Sequence, residues 1–284
     1  MAQSDAGGMI FKTGLFAILA ALGFWIFSKN SASSETNASE KDTSVTTAQS
    51  AEITENWQPD CSQGGTLVKH RWFSLSYIEA HEQAEWVAHE LTKDRLNSQW
   101  ADRGGMSFMP DPLVPTESAT PRDYTGSGYD RGHLCPAADM AFDTAALRET
   151  FYMSNISPQA KGFNTGVWKE LEIQVRRWAR QHGRLYVVTG PLLSRQGIRS
   201  LGTSEVTVPV GFYKVLYAPD QEAAIGFVVP NQKTEKAVMD YAFNVDYVEK
   251  LSGIDFSPHL PEKTITAAEA KIDMSLWPVK TNSQ

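Results

Sequence analysis

The strongest candidate for chemistry in this chain is a histidine, His133, in a segment dense in turn-forming residues. The segment spans residues 124–136 and reads YTGSGYDRGHLCP, so three glycines, an acid and an arginine precede the histidine. In such a segment one ring nitrogen can face solvent while a neighbour holds the other, as a general base requires near neutral pH. A histidine that only stabilises a turn is the alternative. The other five histidines lie in ordinary predicted strands, helices or loops.

A second cluster lies in residues 163–172, which read FNTGVWKELE. Asn164 precedes a predicted helix, and Glu172 lies a little over two turns further on, so both point broadly the same way. An amide oxygen and a carboxylate near a histidine suit a hard cation such as Mg²⁺, which keeps several waters and needs few protein ligands. The alternatives are a helix N-cap for Asn164 and a solvated helix charge for Glu172.

Several classes of protein are excluded by motifs and cysteine content. The sequence contains no G-x-S-x-G, H-E-x-x-H, Walker A or G-x-G-x-x-G motif. Its two cysteines, Cys61 and Cys135, are too few for a disulfide scaffold and too far apart for a C-x-x-C pair. Export would permit a Cys61–Cys135 disulfide, but two free thiols are favoured.

The pattern of apolar residues predicts a mixed α+β fold, because strands and helices do not alternate strictly. We predict strands at 67–77, 185–189, 206–216 and 224–229. We predict helices at 80–96, 145–152, 165–182, 234–243 and 245–252, and a loop over 106–128.

The N-terminal region differs from the rest of the chain. Residues 13–28 carry no charge, and 9–28 match the roughly 20 residues that a membrane-spanning helix needs. We predict a membrane anchor or signal segment at 1–29, a flexible Ser/Thr-rich linker at 30–56 and one globular domain at 57–284. An uncleaved anchor, with the domain on the periplasmic or extracellular side, is favoured over secretion after cleavage. A mitochondrial presequence is disfavoured because the segment is not rich in arginine.

Three motifs in order carry a resemblance to a known family. The tetrapeptide DRGH ends at His133, SNISPQ spans 154–159, and FNTGVWKELE follows. Together they resemble the DNA/RNA non-specific endonucleases of the ββα-metal group, over about residues 67–258. The resemblance implies a ββα-metal (His-Me finger) nuclease fold, with a central antiparallel sheet flanked by helices. No residue of these motifs is replaced, which implies an active enzyme.

The resemblance also implies roles for individual residues. His133 matches the general base, and Asn164 matches the one direct protein ligand to Mg²⁺. Glu172 matches a carboxylate that hydrogen-bonds water on the metal. Asn155 matches an asparagine that orders the site.

Arginines and lysines complete the implied site. Arg95 matches the arginine that stabilises the charged phosphorane, with Arg103 as its rival. The motif residues Asp130 and Arg131 match positions of more structural roles. Candidate contacts to the nucleic acid are Arg131, Lys161, Lys169, Arg176, Arg177 and Arg180. The alternative for the lysines and arginines of the predicted helix is a solvated helix face.

The implied reaction is Mg²⁺-dependent hydrolysis of DNA and RNA phosphodiester bonds, leaving 5′-phosphate and 3′-hydroxyl ends. Mn²⁺ or another divalent cation is an alternative, and a homodimer is left open. Two other functions compete with this one: a tethered nucleic-acid-binding or uptake module without catalysis, and a hydrolase of small phosphodiesters.

The net charge of −7 gives an incomplete account of possible partners. A negative sum argues against a polyanionic substrate such as nucleic acid. Residues 161–215, however, hold 9 basic and 3 acidic side chains on an otherwise acidic chain. This basic segment contains Asn164 and Glu172, so the charge pattern permits local phosphate binding.

Overall fold

The described part of the chain is the predicted globular domain. The computed structural model describes residues 57–62, 64–193 and 199–279. The predicted membrane segment and linker, 1–29 and 30–56, lie outside the described residues. Within the described ranges, no helix is long and apolar enough to cross a membrane.

A seven-stranded antiparallel sheet forms the centre of the fold. Its strands run in the order β1-β2-β3-β6-β9-β10-β11. They are β1 (Gly65–Lys69), β2 (Phe73–Ile78), β3 (Gln83–Thr92), β6 (Arg184–Leu192), β9 (Gly211–Ala218), β10 (Ala223–Pro230) and β11 (Ala242–Phe243). Two separate antiparallel pairs are β4 (Tyr129–His133) with β5 (Ile156–Ala160), and β7 (Ser200–Leu201) with β8 (Val206–Thr207).

Helices cover both faces of the sheet. They are α1 (Lys93–Asn97), α2 (Thr144–Glu149), α3 (Lys161–Phe163), α4 (Lys169–His182), α5 (Val245–Ser252) and α6 (Glu262–Ala270). On one face Leu171, Val175 and Trp178 of α4 pack in a single apolar cluster with sheet residues such as Leu75 and Leu216. On the other face α5 and α6 pack against a second cluster. The predicted α+β class and helix-flanked antiparallel sheet are therefore confirmed.

The predicted helix at 80–96 is wrong. Most of this segment forms β3, and only its end forms the short helix α1. Consecutive residues of β3 face opposite cores, with Trp86 and Ala88 in one cluster and Val87 and Leu91 in the other. A strand buried on both faces has no alternation of apolar and polar residues, so its apolar spacing resembled that of a helix.

Three other predicted elements differ in extent. The predicted strand at 67–77 divides into β1 and β2, which pair with each other. The predicted helix at 234–243 is reduced to a 3₁₀ turn, Val238–Tyr241, followed by the edge strand β11. The predicted strand at 206–216 divides into β8 and β9 around Pro209, whose ring removes a backbone donor from any ladder. The helix that ends at Gly253 is confirmed.

A prediction about stability follows from the position of the main core. Leu216→Ala, in the middle of β9 and 0% exposed, is expected to lower the free energy of unfolding by about 2–5 kcal/mol. Leu67→Ala makes the same chemical change at a strand residue that is 47% exposed. That control should change stability by no more than about 0.5 kcal/mol in the same denaturant titration. Equal losses in the two variants would contradict the placement of the core.

Candidate active site

The strand pair β4–β5 carries His133 at one end. His133 is the last residue of β4 and lies opposite Ile156 in the antiparallel register. Gly132, the residue before it, packs so closely on Gln159 of β5 that an added Cβ would overlap that side chain. The glycine of the DRGH motif is therefore required by the close approach of the two strands.

The His133 ring lies in an aromatic environment. Its centroid is 5.5 Å from that of Phe108 and 5.1 Å from that of Phe151, which meets it edge-on. Burial lowers the pKa of His133 to about 3, and the charge of Arg103 acts in the same direction. The imidazole is therefore neutral at pH 7 and has a lone pair to accept a proton. A base of such low pKa is weak, so proton transfer to it requires a nearby anion, such as a bound phosphate, that raises the pKa.

The two ring nitrogens of His133 have different surroundings. Nε2 is buried and has no hydrogen-bond partner among the described residues. The expected hydrogen bond from a neighbour to one ring nitrogen is therefore not formed among the described residues. Nδ1 is the nitrogen left for a reacting water. This arrangement fits a general base, which must offer one unprotonated nitrogen to its substrate.

Asn155 fixes the backbone that follows the histidine. It is fully buried, and its Oδ1 accepts a hydrogen bond from the Cys135 N–H at 2.8 Å. Its Nδ2 donates to the carbonyls of Cys135 at 3.0 Å and Thr150 at 2.9 Å. All of its polar atoms are thus bound to backbone, so Asn155 positions the chain after His133 and is not exposed to a substrate.

Asn164 lies at the start of a π-helical turn, Asn164–Trp168, that connects α3 to α4. The predicted continuous helix at 165–182 is interrupted here, because Gly166 leaves helical geometry with φ −101° and ψ −120°. The Asn164 Nδ2 donates to Asp130 Oδ2 at 3.0 Å. Asp130 belongs to β4, so the strand that carries His133 also holds the side chain of Asn164.

The donor set around Asn164 fits a divalent cation that keeps most of its waters. With Nδ2 bound to Asp130, Oδ1 has no hydrogen-bond partner among the described residues, which leaves it available to a cation. The one described cluster of three acidic side chains close enough to share a metal is Asp246, Glu249 and Glu269, on α5 and α6. A site built on one amide oxygen suits Mg²⁺, which binds few protein ligands.

Glu172 supplies a carboxylate on α4. It is half-buried, and burial raises its pKa to about 7, with the charge of Lys214 opposing that rise. Arg176 and Arg103 also lower its pKa, whereas Asp139 raises it. Glu172 is therefore partly protonated near neutral pH, and nearby positive charge favours its ionised form.

A buried lysine, Lys214, interacts electrostatically with Glu172. Lys214 of β9 is 1% exposed, hydrogen-bonds Thr189 Oγ1 and lies 5.0 Å from the Trp168 ring centroid. Burial lowers its pKa, whereas Glu172 and Asp139 raise it. A buried cation requires compensation from nearby acids, so these three charges depend on one another.

Asp139 links two more side chains in the same buried cluster. It accepts from Arg176 Nη1 at 2.8 Å and lies 3.1 Å from His89 Nε2. Burial alone would raise the pKa of Asp139, but His89 and Arg176 hold it below its usual value. Arg176, expected to contact nucleic acid, is therefore committed to a buried ion pair.

Arg103, and not Arg95, lies beside the histidine. The Arg103 guanidinium is 5.2 Å from the Phe151 ring centroid, and the same ring contacts His133. Arg95 instead pairs with Glu90, its Nη1 lying 3.3 Å from Oε2 and donating to the backbone carbonyl at 3.2 Å. The structure therefore favours Arg103 over Arg95 for the position next to a bound phosphate.

Some of the predicted phosphate-contacting residues are exposed, and others already bind groups within the protein. Lys161, Lys169 and Arg177 are exposed. Arg131 instead donates to the Pro121 carbonyl at 2.7 Å and is half-buried. The basic segment 161–215 also loses side chains to internal contacts: Arg176, Arg180, Arg184 and Lys214. Its exposed positive charge is smaller than the sequence suggested.

The two cysteines are free thiols. Cys135 is buried and Cys61 is half-buried, as the favoured interpretation expected.

Sequence reasoning missed Lys214 and Asp139. Lys214 is the only charged residue in the apolar run 208–217, which reads VPVGFYKVLY and predicts a buried strand. A lone charge in such a run indicates a buried, compensated group. Asp139 had no comparable signal, because its partners lie far away in the sequence.

Sequence similarity to named nucleases supports the motif resemblance. Human mitochondrial nuclease EXOG is 36% identical over 205 residues, which cover 66% of this chain and 55% of that protein. The chain therefore spans little more than half the length of that relative. Mitochondrial endonuclease G of Caenorhabditis elegans is 34% identical over 249 residues, covering 81% of this chain and 80% of the relative. Nuclease C1 of Cunninghamella echinulata var. echinulata is 37% identical over 215 residues, covering 70% and 85%.

A solved structure and a family model agree with these relatives. The crystal structure of the EndoG/EndoGI complex contains a chain that matches with a TM-score of 0.66 and 29% identity, covering 78% of this chain and 97% of that one. The DNA/RNA non-specific endonuclease family model matches residues 54–263. The chain therefore belongs to the DNA/RNA non-specific endonuclease family.

Proposed function

We propose that this chain is a divalent-metal-dependent endonuclease that hydrolyses phosphodiester bonds of DNA and RNA. The observation that carries the proposal is the arrangement along β4. One strand presents the neutral His133 and, through Asp130, holds the Asn164 amide so that its oxygen is free to bind a cation. A proton acceptor and a hard-cation ligand are thereby held by one rigid element, as metal-assisted hydrolysis requires.

The side chains of this chain divide the chemistry among them. His133 Nδ1 takes a proton from water, and the water oxygen forms a bond to phosphorus as the bond to the 3′ oxygen breaks. Solvent protonates the leaving oxygen, which gives 3′-hydroxyl and 5′-phosphate ends. Arg103 pairs with phosphate oxygens, and Glu172 accepts hydrogen bonds from water in the site. Asn164 would hold a divalent cation, Mg²⁺ or alternatively Mn²⁺, which would supply neutralising charge for the phosphate and the leaving oxygen.

Binding of nucleic acid in this proposal is independent of base sequence. Lys161, Lys169 and Arg177 are exposed side chains that can contact phosphates. Phosphate contacts carry no sequence information and weaken with salt. DNA and RNA, which share the phosphodiester backbone, are therefore both substrates in this proposal.

The N-terminal segment carries a separate proposal. Residues 13–28 are apolar and uncharged, and we propose that 1–29 anchors the nuclease to a membrane on its exported side. Several relatives are named as mitochondrial proteins. Residues 1–29 contain no arginine, which does not favour that location for this chain. A homodimer remains a prediction.

The assignment of His133 predicts a specific loss of activity. His133→Ala should lower the cleavage rate of DNA by about 10²–10⁴-fold, because no other group takes the proton from water. The far-ultraviolet circular dichroism spectrum should be unchanged. His259→Ala is the matched control, since this histidine is exposed and paired with Asp60. Near-normal cleavage by His133→Ala would rule out its role as the base.

The assignment of Asn164 predicts a change in metal binding that does not depend on turnover. Mg²⁺ should raise the melting temperature of the full chain, because an ion that binds only the folded state stabilises it. Asn164→Ala should remove most of that rise. Thr165→Ala, at the exposed neighbouring position, should retain it. An unchanged Mg²⁺ titration in Asn164→Ala would contradict the ligand assignment.

The raised pKa of Glu172 predicts a pH dependence of stability in metal-free protein. Its folded-state pKa of about 7 exceeds the ordinary value of 4.5, so folding favours the protonated form. The resulting stabilisation is present below pH 4.5 and is lost as the pH rises through 7. Glu172→Gln stays neutral, so the variant should gain stability relative to the parent protein as the pH rises. Urea titrations in EDTA across this range should show that gain, and parallel curves would contradict it.

A further inference from the structure

Several arginine and aromatic side chains outside the proposed catalytic residues lie close together. They are Arg71, Trp72, Arg95, Phe142 and Trp100, which we call the aromatic–arginine strip. Arg71 is exposed, and Trp100 is 51% exposed. Large exposed aromatic side chains beside arginines are the composition of surfaces that bind nucleic-acid strands.

The middle of the strip is a rigid stack. The Arg71 guanidinium lies 5.1 Å and that of Arg95 4.9 Å from the Trp72 ring centroid. Arg95 also lies 5.3 Å from the Phe142 ring centroid, and the two rings meet edge-on at 5.2 Å. Trp72 and Phe142 pack against the main core, so the stack is fixed to the body of the protein.

A backbone hydrogen bond joins this stack to the segment that leads to Arg103. The N–H of Ala101 donates to the carbonyl of Ala141 at 2.6 Å. Trp100 and Phe142 flank these bonded peptide groups, so their backbones are adjacent. Arg103 follows Ala101 by two residues and contacts the ring that packs on His133. The segment 100–103 therefore connects the stack to the candidate site.

The charges in the strip are not equivalent. Arg95 is paired with Glu90, which neutralises it and fixes its position over the rings. Arg71 has no ion pair in the part of the chain that the structure describes. Arg71 is therefore the member with an unpaired charge for a phosphate, and Trp100 is the aromatic member with half of its surface exposed to a base.

We propose that the aromatic–arginine strip binds unpaired nucleotides of the substrate next to the cleaved bond. Trp100 stacks on one base, and Arg71 binds a phosphate further along the same strand. This inference rests on the proposed nuclease function, because it places the strand that leaves the site.

The geometry favours single-stranded nucleic acid over a duplex. In a duplex both faces of each base stack on neighbouring bases, whereas an unpaired base offers a face to an aromatic side chain. Stacking on an exposed indole does not depend on base identity, because every base has a π-face. The strip therefore adds a preference for unpaired strands without adding sequence specificity.

The test is binding of a single-stranded oligonucleotide and its duplex to the full chain in EDTA, in the His133→Ala background. Trp100→Ala should weaken binding of the single strand by about 5- to 150-fold and leave duplex binding within about twofold. Trp100→Phe should retain most of the affinity. In the parent background, 2-aminopurine placed along the strand should be quenched at one position, and Trp100→Ala should remove that quenching.

Arg71 is tested through salt dependence. Arg71→Ala should reduce the slope of log affinity against log salt concentration for the single strand by about 0.7, the contribution of one phosphate contact. Lys250→Ala removes an exposed charge from α5, on the other face of the sheet, and should leave the slope unchanged.

Met274→Ala is the matched control for Trp100, because Met274 is an apolar side chain of similar exposure at 53%. Unchanged single-strand binding in Trp100→Ala, or equal losses on single strand and duplex, would overturn the proposal. Failure of the nuclease function is distinguished by a separate result, the absence of cleavage by the unsubstituted protein.

Discussion

The hydrogen bond from Asn164 to Asp130 is the contact on which the geometry of the site depends. Asp130 and His133 lie on the same short strand, so this bond ties the turn before α4 to the strand that carries the histidine. The close approach at Gly132 and the buried amide of Asn155 fix that strand from two other directions. The sheet and α4 are the rigid body to which these contacts are attached.

Charge balance in the core imposes a second constraint. Lys214, Glu172 and Asp139 lie close together beneath the site, where an uncompensated charge would be costly. Lys214 and Asp139 both shift the pKa of Glu172, so the ionisation of Glu172 depends on the fold as well as on any bound ion. Arg176 and His89 complete this cluster, which explains why a basic residue of α4 points inward.

The sequence predicted the motif residues better than their neighbours in space. His133, Asn155 and Asn164 belong to short sequence motifs, and the structure brings them together on β4, on the turn before β5 and on the turn before α4. The strand β3 could not be predicted, because burial on both faces removes the alternation that identifies a strand. The choice between Arg95 and Arg103 depended on which guanidinium approaches His133, and local spacing does not encode that distance. Arg176 resembled a surface cation because its partner, Asp139, lies in a distant loop.

The most direct measurement is cleavage of closed circular DNA and of RNA by the full chain, with Mg²⁺ and with EDTA. It is made side by side with Asp130→Ala. The parent protein should cleave both substrates only with Mg²⁺. Asp130→Ala should need more Mg²⁺ for half its maximal rate, because the Asn164 amide is no longer held. Absence of cleavage, cleavage that persists in EDTA, or an unchanged Mg²⁺ requirement in Asp130→Ala would contradict the account.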